Sequence, residues 1–186
     1  RSHIEFKSPE GEVVRGKLDN SYQPEYGRRY YAKLKQLERA FKREFRQQTT
    51  VMLTLTASNE NRQGEPRCPA DHMREIADAW NTARKTLHRI LDGTQWEYVR
   101  VWEPHQSGYG HMHVAVFLDG DASAAAFEPV MNSYVRNCPA AAKEAHRVEG
   151  DDAAVSVNDG VENLGSYISE YIGNFGEEPL NRPVSE

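Results

Sequence analysis

The stretch His111-Met112-His113-Val114-Ala115-Val116-Phe117-Leu118 alternates with a period of two. Met112, Val114, Val116 and Leu118 form an unbroken apolar row, which this period places on the buried face of a β-strand. His111 and His113 then point together to the opposite face. Upstream, Gln95 to Glu103 also reads as a strand, and Ser107-Gly108 suits a hairpin turn between the two. Closing that hairpin brings Glu103 opposite the start of the second strand, beside His111. Gly108 and Gly110 leave room there for close backbone approach.

Two imidazoles and a carboxylate on one sheet face have the makings of a divalent-metal site. These are hard or borderline ligands, suited to magnesium, manganese or zinc. Cysteine is absent from the neighbourhood, which argues against a structural zinc. Cys68 and Cys138 lie far apart in the chain without metal-ligand spacing and read as reduced thiols.

A chain of 186 residues with 38% apolar content is long enough for one well-cored domain with tails. The net charge of -5 argues against a generic nucleic-acid binder. The charge is unevenly spread, however. Arg28, Arg29, Lys33, Lys35, Arg39, Lys42, Arg43 and Arg46 face only two Glu in the same segment, a local excess of six positive charges. That run is either a solvated helix face or a contact for a phosphate backbone. No stretch approaches 18 consecutive apolar residues, so no membrane partner is expected.

Read in order, residues 1–24 form an N-terminal arm of irregular or short strands. Tyr30, Leu34, Leu37, Phe41 and Phe45 then recur at helical spacing over 25–45. Thr50 to Ala57 reads as an interior strand, with Val51, Leu53 and Leu55 on one face and Met52, Thr54 and Thr56 on the other. A helix follows to about Leu91, capped near Asp71, with Met73, Ile76, Trp80, Ala83, Leu87 and Ile90 as its stripe. After the hairpin come a helix from about Ala122 to Val135 with Phe127, Val130, Met131 and Tyr134 as its stripe, a brief strand at 154–157, and a last helix carrying Leu164, Ile168 and Ile172, with its cap at Asn158 or Asp159. This order predicts an α+β fold: a ferredoxin- or RRM-like antiparallel sheet, helices on one face and the active site on the other. The domain is expected over 25–176. Residues 177–186 are polar and aperiodic, as in a linker or a truncated tail of a longer protein.

Three motifs follow one another along this frame: Met52-Leu53-Thr54-Leu55-Thr56, then His111-Met112-His113 with Glu103 eight residues before it, then Tyr167 and Tyr171 four apart in the last helix. As a set, spanning about Val51 to Tyr171, they resemble the HUH endonuclease family of rolling-circle replication initiators. The resemblance implies a Rep protein of a virus or plasmid that nicks and rejoins single-stranded DNA at a replication origin. It implies magnesium or manganese held by His111, His113 and Glu103, a 5′-phosphotyrosine intermediate, and two tyrosines that alternate. Tyr167 is the expected first nucleophile and Tyr171 the second. The chain departs from the family at one point: a Lys commonly lies three places after the nucleophile, where Tyr167 is followed by Glu170 and Tyr171 by Asn174. Glu170 and His105 are the expected accessory residues, the latter because it shares strand parity with Glu103. A host helicase is an expected partner and the host cytoplasm the expected location. The acidic charge fits a salt-loving, haloarchaeal host. The alternatives are a relaxase or transposase of the same chemistry, and a non-catalytic single-strand-binding module in which Trp102, Tyr109 and the basic helix hold the strand.

Overall fold

The computed structural model describes residues 3–7, 11–17, 24–104 and 108–160. In the N-terminal arm, β1 (His3–Lys7) and β2 (Val13–Lys17) pair as an antiparallel hairpin. They precede α1 (Pro24–Glu44), β3 (Gln48–Leu55), α2 (Pro69–Ile90), β4 (Trp96–Pro104), β5 (Gly110–Asp119), α3 (Glu128–Asn137) and β6 (Val155–Asp159). One-turn 3₁₀ segments lie at Ala124–Phe127 and Glu144–His146. Tyr167, Tyr171 and Glu170 of the last predicted helix lie outside the described residues, as does His105.

From β3 onward the order is βαββαβ. The second sheet is antiparallel throughout, with strand order β4-β5-β3-β6, so the α+β expectation holds with ferredoxin-like topology. The register is continuous across three strands. Val51 pairs with Val116, Leu53 with Val114 and Leu55 with Met112, and all six are fully buried. On this face they pack with Ile76, Trp80, Ala83 and Leu87 of α2 and Val130, Met131 and Tyr134 of α3.

The other face alternates with the first, as the pleat requires. Met52 lies opposite Ala115 and Thr50 opposite Phe117, while Val99 and Val101 extend the row on β4. Here the expectation that helices would occupy one face is corrected: α1 lies on the histidine-bearing face. Leu34, Phe41 and Phe45 cluster with Met52, Ala115 and Phe117, and the Phe41 ring stacks on Phe117 at 4.8 Å. Helical periodicity marks a stripe as buried but does not say which sheet face receives it. The apolar outer row of β5 had to be covered, and α1 supplies that cover.

Two smaller corrections concern helix and strand ends. α2 begins at Pro69 after Cys68, which makes no side-chain cap; proline at the first helical position needs no N–H partner and pre-sets φ. Asp71 sits in the first turn and pairs with Arg74 at 2.7 Å. Asn158 and Asp159 belong to β6, where they pair with Thr50 and Thr49, rather than capping a helix.

The two cores predict unequal responses to truncation. Phe117→Ala removes a fully buried ring from the α1 cluster and should cost about 3–5 kcal/mol by chemical denaturation. Val14→Ala, on the exposed hairpin, should stay within about 0.5 kcal/mol.

Candidate metal and strand-transfer site

The site lies where the apolar rows of the α1-covered face end. Moving along β5 from Phe117 through Ala115, the outward positions become His113 and His111. Register places Thr54 of β3 opposite His113 on one side and Val101 of β4 on the other; Glu103 lies opposite His111. The side chains then meet diagonally, within the reach of neighbours on adjacent strands. His113 Nε2 is 2.8 Å from Glu103 Oε2, and its Nδ1 is 3.3 Å from Thr54 Oγ1. His113 is 6% exposed and Glu103 is half-buried, so the pair sits at the boundary between packed core and solvent.

Among the described residues, no three His, Cys, Asp or Glu side chains gather closely enough to hold a metal ion. Glu103 and His113 make the formed contact, and His111 joins them by register on the same face. The donor chemistry still suits a hard divalent cation. Gly110 permits a close approach at the start of β5, since a Cβ there would lie 3.1 Å from the Glu103 carbonyl oxygen.

Beyond β3 and before β5 the chain leaves the sheet ladder, and its backbone groups need other partners. Three buried side chains supply them: two histidines that the sequence reading did not select, and Tyr134, which it placed on the buried stripe of α3. The ring nitrogens of His72, on α2, lie 3.3 Å from Ser58 O and 3.1 Å from Gly110 O, one residue before His111. His146 Nε2 accepts the Thr56 N–H at 3.2 Å while Nδ1 donates to Ala142 O at 2.7 Å, which fixes its tautomer. Tyr134 donates its hydroxyl to Thr56 O at 3.0 Å. His72 had a signal, since it lies one helical turn before Ile76 on the buried stripe; its neighbour Met73 is only half-buried. His146 and Tyr134 act across 90 and 78 residues, a separation that no local pattern reveals.

A second polar group braces the same loops. Glu75 accepts from Ala140 N at 3.0 Å and from the Cys138 thiol at 3.4 Å, and it pairs with Arg67. Burial works to raise its pKa, but the Ala140 N–H, the Cys138 thiol and the Arg67 guanidinium together hold the carboxyl below its ordinary value. Burial pushes the Cys138 thiol up to about 11, leaving it unreactive. Burial likewise depresses His146.

The basic run divides. Lys35 and Lys42 pair with buried Glu38 at 3.0 and 3.2 Å, and Arg43 pairs with Glu44 at 2.8 Å. Lys33 lies over the Tyr30 ring at 5.0 Å. Arg28, Arg29, Arg39 and Arg46 are exposed, alongside exposed Tyr30 and Tyr31. Part of the positive excess therefore neutralises the helix's own carboxylates.

Residues 4–185 match the family described as "Putative rep protein (DUF1424)". The chain belongs to this Rep family. It is also 40% identical over 186 residues to a protein from Halobacterium salinarum and 36% identical over 194 residues to one from Halobacterium sp. (strain GN101), both described as "Uncharacterized 36 kDa protein". The matches cover 93% and 94% of this chain, which spans 59% of the length of each relative. No solved structure matches it. The Rep family assignment agrees with a replication initiator and leaves the chemistry to the residues above. Among the described residues, no helix is long and apolar enough to cross a membrane.

His146 and Glu75 give this Rep-family fold a pH signature. Both have folded-state pKa values below their ordinary 6.5 and 4.5, so each stabilises the fold fully above that value and loses its contribution as pH falls. Stability measured by urea denaturation should decline as pH drops below about 6.5 and again below about 4.5. His146→Gln should lower stability at neutral pH and flatten the first decline. A first decline of unchanged size in that variant would assign it to another group.

Proposed function

We propose that this chain is a metal-dependent endonuclease and strand transferase of the HUH type, which nicks single-stranded origin DNA and initiates rolling-circle replication. The observation that carries this reading is the meeting of Glu103 and His113 at 2.8 Å at the open end of the sheet, with His111 opposite Glu103, in a chain of the Rep family. A bound magnesium or manganese ion would draw charge from the non-bridging oxygens of the scissile phosphate and orient it.

His113, His111 and Glu103 are the residues that would hold such an ion. With Nε2 of His113 directed at Glu103, the Nδ1 lone pair accepts from the Thr54 hydroxyl. Were Nε2 to hold a metal instead, the imidazole proton would reside on Nδ1 and the same hydroxyl would accept it. Thr54 thus orients the imidazole in both states. The nucleophile is Tyr167, with Tyr171 as its alternate: the phenol oxygen forms a bond to phosphorus, the P–O3′ bond breaks, and a 3′-OH is released to prime synthesis. The phenolic proton passes to a nearby base or water, and the departing 3′ oxygen takes up a proton from water. Glu170 and His105 are the accessory residues of this reading. Exposed Arg28, Arg29, Arg39 and Arg46 contact phosphates without reading sequence.

The proposed setting is the host cytoplasm, with a host helicase opening the duplex. Relatives in Halobacterium and the net charge of -5 support a salt-loving, haloarchaeal host.

The test is a denaturation-resistant adduct between the chain and a panel of single-stranded oligonucleotides from candidate origins, with magnesium or manganese. His111→Ala and His113→Ala should each lose the adduct at least a hundredfold while retaining strand binding. Thr54→Val should weaken the metal requirement's midpoint by about 10–100-fold. Tyr167→Phe should abolish first cleavage, and Tyr171→Phe should spare it while impairing a second transfer. Strand binding without an adduct, across the whole panel and both metals, would favour the non-catalytic binding module.

A further inference from the structure

Among the described residues, a cavity of about 530 Å³ that this chemistry does not use lies at the site end of the sheet, on the α2/α3 side. Its walls are the 58–67 loop, Glu75, and the Pro139–Ala142 segment. The size falls within the range of small-molecule sites, roughly 300–1,000 Å³.

The walls are fixed before anything binds. Asn61 Oδ1 accepts the Gln63 and Glu65 N–H groups at 2.9 Å each, and the Arg67 N–H bonds Asn59 O. Arg67 Nη1 donates to Ser58 O at 3.0 Å and its other terminal nitrogen pairs with Glu75. Ser58 N–H bonds Ala140 O, tying the two walls together.

The cavity is coupled to the candidate site on two sides. Thr54, which contacts His113, stands at the end of β3, four residues before Ser58. Tyr109, two residues before His111, donates its hydroxyl to Arg67 O at 2.7 Å. The cavity and the candidate site therefore lie at one end of the sheet, on its two faces.

The lining selects the ligand. Glu60 and Glu75 balance Arg62 and Arg67, and Arg67 is committed to Glu75 and Ser58, so a phosphate finds no net positive field. Pro139, Ala140, Ala141 and Ala142 form a small-residue apolar wall, and exposed Arg62 and Gln63 offer hydrogen-bonding groups at the rim. A flat neutral ring with donors and acceptors on its edge fits that combination. We infer that this cavity is a nucleobase pocket, which takes one base of the single-stranded substrate beside the cleaved phosphate and makes cleavage base-selective. The inference rests on the nicking reading for its role in cleavage.

The test begins with ¹⁵N–¹H NMR of the full chain titrated with the four deoxynucleosides and, separately, with inorganic phosphate. At least one nucleoside should shift amides of 58–67 and 140–142, phosphate should not, and Ala142→Trp should weaken that nucleoside at least tenfold. Equal shifts from phosphate, or no nucleoside shift at those amides, would overturn the pocket. Selection from a randomised single-stranded library should then show a base preference at one position that falls at least tenfold in both Ala142→Trp and Gln63→Ala; Gln63 is an exposed loop residue, so its variant guards against misfolding. A preference unchanged in both variants refutes the inference even where the covalent adduct forms, which leaves the nicking reading intact. Nucleoside binding in the pocket without an adduct on any origin supports the pocket while removing the nicking reading.

Discussion

β5 is paired on both sides and packed on both faces, and the rest of the domain is arranged around that constraint. Met112, Val114, Val116 and Leu118 face α2 and α3, while Ala115 and Phe117 face α1. A slip of one residue in its pairing would turn both imidazoles into the apolar layer beneath α2 and α3 and carry Met112, Val114, Val116 and Leu118 to the face that α1 and the candidate site occupy. Burial on both faces therefore specifies the register more strongly than either face could alone. The same register puts Thr54 opposite His113 and Glu103 opposite His111, so the geometry of the site is a consequence of core packing.

The two ends of the sheet are finished differently. At the end remote from the histidines, Asp119 accepts the Arg46 and Gln47 N–H groups at 2.8 Å each, and the Gly120 and Gly160 N–H groups bond Gln47 O and Gln48 O. One carboxylate and two backbone bonds close that end. At the site end the strands diverge into loops, and His72, Tyr134 and His146 hold carbonyls and an amide that have left the ladder. Buried aromatic groups with polar tips suit this task, since each fills core volume while satisfying a backbone group that would otherwise be desolvated without a partner. The site is thereby held from beneath by the helical layer, although its ligand face opens on the other side.

Alternation made β3, β4 and β5 readable from the sequence, together with the facing of His111, His113 and Glu103. It could do so because period-2 patterning is a local record of which face is buried. Helical stripes located α1, α2 and α3 equally well. What local pattern could not carry was the destination of a stripe: Leu34, Phe41 and Phe45 announce a buried face but not that it lies over Phe117, more than 70 residues later. The bracing groups were hidden for a related reason. Glu75 and His146 take their meaning from partners 63 to 90 residues away, and a single polar residue on or near a helix resembles any solvated one; Tyr134 reads as buried, but the Thr56 carbonyl that its hydroxyl reaches does not show. The strand at 155–159 ran past its expected end because Asn158 and Asp159 favour caps by propensity, and pairing with β3 overrides that preference.

The charge distribution bears on how such a site could hold a polyanion. The whole chain carries -5, and on α1 Glu38 takes up Lys35 and Lys42, so long-range attraction contributes little. At molar salt the Debye length contracts to about 3 Å, and only contacts made at hydrogen-bond or van der Waals distance survive screening. Under the proposed function, affinity must then come from short-range terms: phosphate oxygens directed at Glu103, His111 and His113 through a metal, and bases stacked or enclosed. Stacking and enclosure depend on apolar faces and edge hydrogen bonds, which salt leaves largely untouched. Under that same proposal, a preformed neutral cavity at the histidine end of the sheet would supply such a contact in place of a basic surface.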